Sequence, residues 1–265
     1  MNSSHFTSDI CEPASVITRV AHGQWHALED DQVVGRAHAS RRPDGRMFLS
    51  LDAWHDAVFE RLADAMLTDL PKPLYTVVDE ADLGLTANWQ RAGFTTRRRE
   101  WEYLVPTDPH VTRLGAAPPR SGVTIVAVGQ AQEGPLRTLD RSIRDEVEAT
   151  VGWQEMPAEV LPRPHDPSLL DPSKYAVAAR AGQYVGLVRV THVTRQPRIG
   201  LIAVLADRRR RGIARALLAH VLGALHRCGK ETASADVNES NPAATALFEV
   251  IGARRASSNL ELVLR

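Results

Sequence analysis

The sequence predicts an α/β protein: a mixed, twisted sheet flanked by helices, built as two tandem copies of one strand–helix unit. Three observations predict it. Short apolar or alternating runs of strand length take turns with stretches of helical period along the 265 residues. Turn-forming glycines and prolines punctuate those runs. The two halves also share a spacing pattern. Asp79, Asp82, Leu85, Trp89 and Gly93 reappear as Asn238, Asn241, Ala244, Phe248 and Gly252, at a constant offset of 159 (252 − 93) that continues to Glu102 and Glu261. Upstream, Val34-Gly35 matches Val185-Gly186 at an offset of 151 (186 − 35).

In the first half, residues 1–15 are polar and read as a flexible tail. Val16 to His22 is a first strand. Trp25 to Leu28 and Gln32 to Ser40 form a hairpin turning at Asp30-Asp31. Arg46 to Leu51 is a strand after the turn Pro43-Asp44-Gly45. Ala57 to Leu70 is a helix, with Val58, Leu62, Ala65 and Met66 on one side, and Pro71 stops it. Tyr75 to Val78 is a strand. Leu83 to Ala92 is a helix closed by Gly93, and Arg99 to Val105 ends a unit spanning 16–105. Residues 106–121 hold four prolines and a glycine and read as a linker.

The second unit, 122–265, opens with a strand from Val123 to Val128 and a helix from Gly134 to Thr150. Gly152-Trp153 breaks the helix, and prolines at 157, 162, 164, 167 and 172 shape a loop. Tyr175 to Arg180 and Tyr184 to Thr191 are strands around Ala181-Gly182-Gln183. Ile199 to Leu205 is a buried strand. It runs into the basic turn Arg208-Arg209-Arg210-Arg211-Gly212 and a helix with Ile213, Leu217, Val221 and Leu225 on one face. Thr232 to Val237, a helix from Asn241-Pro242 to Gly252, and Leu260 to Leu264 complete the chain.

Composition narrows the function. Basic and acidic residues balance at 32 each, so no global field draws nucleic acid or a membrane. Four arginines at one turn, without interleaved aromatics, do not make a nucleic-acid surface. Cys11 and Cys228 make no metal motif or disulfide framework, so no metal is expected. No charged leader opens the chain, and no apolar run approaches the ~18 residues that span a bilayer. A soluble cytoplasmic protein is the expectation. The preference for arginine over lysine (only Lys72, Lys174 and Lys230) hints at a GC-rich bacterial genome. A homodimer stays open.

The chemistry concentrates where the basic turn joins its helix. Free N–H groups and the positive end of the helix dipole favour an anion there, and Gly212 permits close approach. The first half carries Asp52-Ala53-Trp54-His55-Asp56 at the same place, whose acids repel an anion, and it has no room for a counterpart of the Gly134 helix. It reads as a degenerate unit beside a competent one.

At these residues the sequence resembles the GNAT superfamily of acyl-CoA-dependent N-acetyltransferases. The resemblance rests on Arg209-Arg210-Arg211-Gly212-Ile213-Ala214, which fits the family's Gln/Arg-x-x-Gly-x-Gly/Ala signature. It rests also on Asn238-Glu239-Ser240-Asn241-Pro242 followed by Phe248 and Ile251-Gly252. It implies that the turn, with Arg215, cradles the pyrophosphate of acetyl-CoA. It implies that the strand Ile202-Ala203-Val204-Leu205 splays from its neighbour to admit the pantetheine arm, with Asn238, Asn241 and Phe248 beside the cofactor. A primary amine, of a small molecule or alternatively of a protein, then attacks the thioester directly. Asp236, His192 and Glu146 are the base candidates, and Asp145 and Trp153 the acceptor-side candidates. The chain departs from the family in having Phe248 where Tyr often stands, and no Glu at the start of the central strand. Those departures keep open a non-catalytic acyl-CoA sensor.

Overall fold

In the computed structural model, residues 15–42, 44–115, 122–150, 152, 170–192 and 196–265 are described. Trp153, and Cys11 with the first fourteen residues, lie outside them. Ser15, assigned to the tail by its polarity, is instead buried and accepts a hydrogen bond from Arg61 Nη1 at 2.8 Å.

The first unit supplies β1 (Val16–Ala21), β2 (Gln24–Glu29), β3 (Gln32–Arg41), β4 (Met47–Ala53), α1 (Asp56–Asp69), β5 (Leu74–Asp79), α2 (Leu83–Arg91) and β6 (Thr95–Pro106). A four-residue helix, α3 (Pro109–Thr112), follows, with Thr107, Thr112 and Leu114 buried, so the described part of the linker packs against the core. The second unit supplies β7 (Val123–Val126), α4 (Glu133–Glu148), β8 (Tyr175–Arg180), β9 (Gln183–His192), β10 (Pro197–Val204), α5 (Ile213–Arg227), β11 (Thr232–Asn238), α6 (Pro242–Val250) and β12 (Arg254–Leu264). Asp30 and Asp31 both adopt positive φ (48° and 61°), as a two-residue hairpin turn requires.

The twelve strands of the described residues form one sheet, ordered β1-β2-β3-β4-β5-β12-β6-β11-β10-β9-β8-β7. The two units therefore exchange their last strands. β6 of the first unit lies against β11 of the second, and β12 of the second lies against β5 of the first. The repeat fixes this register. Asp79 faces Asn259, and the same pair shifted by the repeat offset, Asn238 and Glu100, is also in register. At the seam Arg98 faces Glu261 while Glu102 faces Ser257, one pair being the image of the other. The exchange explains why β6 and β12 begin at Thr95 and Arg254, earlier than their apolar runs suggest. The polar first half of each strand pairs with the second half of the other in the middle of the sheet, where hydropathy gives no strand signal.

Alternation along the strands divides the helices between two faces. α5 and α6 pack on Tyr103, Val105, Ala233, Ala235 and Val237. α1 and α2 share a core with Leu74, Val78, Leu260 and Leu262. Leu260 faces Arg99, which has the parity of Tyr103, so all four helices cover one side. α4 covers the other side, with Leu136, Leu139 and Ile143 on Tyr175, Val177 and Leu187. The first unit has no helix in that position among the described residues, and Arg36, His38, Ser50 and Val77 are exposed there.

Candidate active site

Two local features build the site. The first is the opening between β10 and β11. Their parallel pairing among the described residues is confined to Arg198 with Ser234. β10 meanwhile stays paired with β9 as far as Val204, after a bulge at Gly200. The edge of β10 carrying Ile202, Ala203 and Val204 thus diverges from β11. A bulge bends a strand and increases its twist, which is what turns β10 away.

The second feature is the turn into α5. Arg210 (φ 61°) and Gly212 (φ 78°) both take left-handed backbone, and a Cβ at Gly212 would meet only open space. No described side chain caps α5. By contrast Asp82 and Asn241, equivalent in the repeat, cap α2 and α6 through Leu85 N and Ala244 N at 2.9 and 3.0 Å. The first-turn N–H groups of α5, led by Ile213, Ala214 and Arg215, keep their anion-binding potential. Arg210 and Arg215 are exposed there, without a side-chain partner among the described residues. Arg211 Nη2 donates to Asp207 O at 3.2 Å, and Arg209 Nε donates to Val204 O at 3.1 Å. In the first unit an acid sits inside the helix itself. Asp56 opens α1 and takes hydrogen bonds from Asn88 and Arg91 at 3.1 and 3.2 Å.

Residues 141–253 match the family model "Acetyltransferase (GNAT) family". The match to the GNAT acetyltransferase family thus lies within the second unit. A GCN5-related N-acetyltransferase from Sphaerobacter thermophilus superposes on 93% of this chain and 82% of its own, with a TM-score of 0.64 at 15% identity. A tandem GNAT protein from the clavulanic acid biosynthesis pathway does so on 95% and 83%, again at 0.64 and 15%. A GCN5-related N-acetyltransferase from Kribbella flavida matches over 94% and 89%, at 0.57 and 16%. At such identities the likeness establishes the tandem GNAT fold. No curated protein matches the chain at a significant level.

The second unit distributes the sequence-derived residues unevenly. Asp236 lies on β11 at the opening, ion-paired with Arg198 on β10. Burial pushes its carboxyl above the usual carboxylate range; the Arg198 guanidinium opposes that rise and Glu102 adds to it. Glu146 reaches from α4 to the end of β10. Both its oxygens are 3.0 Å from Ala206 N, and Oε2 is 3.1 Å from Arg209 Nη2, so it sits on the basic turn. Asp145 is exposed on α4. His192 ends β9 opposite Pro197, and its side chain is not among those described. Leu205 N–H bonds to Val185 O at 3.1 Å, so that group is engaged within the sheet. Phe248 is 3% exposed and stacks on Tyr103 (5.9 Å between centroids), which makes it core on the α5–α6 side. Asn238 turns its Oδ1 to Ser240 N at 3.0 Å. Asn241 acts as a helix cap, and Asn241→Ala is expected to cost about 1 kcal/mol of stability in chemical denaturation.

Sequence reasoning missed Glu102, because its strand belongs to the other unit. It faces Asp236 in register and takes a 2.6 Å hydrogen bond from Ser257 Oγ. Its repeat image, Glu261, is held by Arg97, Arg98 and Arg46 at 2.6, 3.2 and 3.5 Å. One carboxylate of the pair is thus neutralised by three guanidiniums, while the other stands beside a second carboxylate at the opening. Only the repeat, which aligns Glu102 with Glu261, could have drawn notice to it.

Proposed function

We propose that the chain is an acetyl-CoA-dependent N-acetyltransferase acting on a primary amine of a small molecule. The observation that carries this reading is the coincidence of an uncapped, glycine-bearing turn at α5 with the opening of β10 from β11. An elongated donor with a phosphate at one end and a thioester at the other matches that pair of features. Arg209 to Arg215 would hold the phosphates, and the β10 edge from Ile202 to Val204 would hold the arm. The amine nitrogen attacks the thioester carbonyl, so a C–N bond forms, the C–S bond breaks, and the electron pair leaves on sulfur as the CoA thiolate. The amine proton passes to Asp236, whose basicity is raised first by burial, with Glu102 beside it adding to that rise.

The sign of the pH dependence follows. Asp236 accepts a proton only when ionised, so kcat/KM rises with pH through a carboxyl titration above the ordinary range. Removing the neighbouring negative charge in Glu102→Gln moves that acid limb to lower pH, and Arg198→Met moves it to higher pH. A pH–rate series on the three proteins checks this, and an unmoved limb in Glu102→Gln excludes Asp236 as the base.

A non-catalytic acyl-CoA sensor is the competing reading. It is favoured by Phe248, which has no proton to give the leaving thiolate. Incubation with acetyl-CoA and a panel of small amines and amine-bearing peptides, following thiol release, separates the readings. Turnover lost in Gly212→Glu supports the enzyme, with the preferred acceptor class read from the panel. CoA binding without turnover supports the sensor, and absence of CoA binding removes both.

A further inference from the structure

The carboxylate of Glu146 stands where an anion would be welcome. α4 comes from the opposite face of the sheet, yet its last turn delivers this side chain to the start of the basic turn. There it accepts from Ala206 N at 3.0 Å through both oxygens and from Arg209 Nη2 at 3.1 Å. A backbone N–H and a guanidinium converging on two oxygens is the pattern by which proteins hold phosphate. Arg209 is also the first residue of the signature turn. Its guanidinium is tied at both ends, Nε to Val204 O at 3.1 Å and Nη2 to Glu146. The pair is partly exposed (57% for Arg209, 29% for Glu146), so it is weak enough to yield.

The first unit throws this contact into relief. There the acid, Asp56, is part of the helix N-terminus itself and accepts from Asn88 and Arg91. In the second unit the acid is borrowed from another element, α4. We propose that Glu146 is a built-in competitor of the donor's phosphates: it holds Arg209 until acyl-CoA displaces it, and that displacement frees the end of α4 from the turn. The inference rests on the reading that this turn binds the donor.

Calorimetric titration of the full chain with CoA tests it. Glu146→Gln keeps the shape and removes the charge, and Glu146→Asp shortens the reach by one methylene. Both are expected to bind CoA about three- to fivefold more tightly than the parent, the scale of losing an exposed ion pair from the unliganded state. In an Arg209→Met background the gain from Glu146→Gln shrinks, because the guanidinium for which carboxylate and phosphate compete is gone. Unchanged or weaker binding in both Glu146 variants overturns the proposal and makes Glu146 a strut of the turn. Absence of CoA binding in the parent and the variants alike overturns the donor-site reading itself.

Discussion

Gly212→Glu is expected to abolish donor binding while leaving the fold in place. Gly212 has φ 78° and open space where a Cβ would go, so the substitution meets no wall of the protein. Its cost to folding is the left-handed backbone alone, about 1–2 kcal/mol. Its cost to binding is much larger. It places a carboxylate beside N–H groups that favour an anion, and fills the space through which a phosphate must approach. We expect CoA affinity to fall about a hundredfold or more, equivalent to about 2.7 kcal/mol. Gly212→Ala, without the charge, falls in between. Calorimetry with CoA, beside a thermal melt of each variant, makes the measurement. Retained affinity in Gly212→Glu would move the donor away from this turn.

Leu262→Ala is the second large effect, and it reaches across the repeat. Leu262 is the last-but-two residue of β12, a strand of the second unit by sequence, but it is fully buried in the core of the first. It faces Thr76 of β5 and packs in the cluster that holds Trp89, Leu62 and Met66. Truncation removes buried methyl groups and leaves a cavity, about 3 kcal/mol. For a chain of this size that lowers Tm by roughly 6–12 °C. Because β6 and β12 are exchanged, neither unit can lose its last strand without the other losing a neighbour. The melt is therefore expected to remain a single transition, displaced as a whole, with probes in both units coinciding. Two separate transitions, of which one alone moves, would contradict the exchange. Leu83→Ala on the exposed face of α2, where Leu83 is 75% exposed, serves as the silent control.

The candidate site was legible in one dimension and opaque in the other. The turn from Arg209 to Ala214 could be read because every part of it is local. A strand, a left-handed glycine and a helix N-terminus are adjacent in the chain, and local backbone chemistry settles what they favour. Asp236 was reachable for a similar reason, being on the strand that opens from β10. Glu102 was not, since nothing within its own unit brings it near Asp236. The contact of Glu146 with the basic turn was not legible, because the sequence cannot aim a side chain at a turn sixty residues away (206 − 146). Phe248 was read as a cofactor neighbour, and its burial against Tyr103 from the exchanged strand depends on a contact 145 positions along the chain (248 − 103).

The sequence by itself determined the elements, the duplication, and the contrast between an acidic first turn and an arginine–glycine second turn. Apolar period, turn residues and helix termini act over a few residues, and each leaves its mark in the order of side chains. Only the tertiary structure decided that the two units share one sheet by exchanging β6 and β12. The pairing of polar strands is carried by backbone hydrogen bonds, which are the same for every sequence and leave little hydropathic trace. That exchange in turn sets Glu102 beside Asp236, surrounds Glu261 with guanidiniums, and makes the opening between β10 and β11 a property of both halves of the chain.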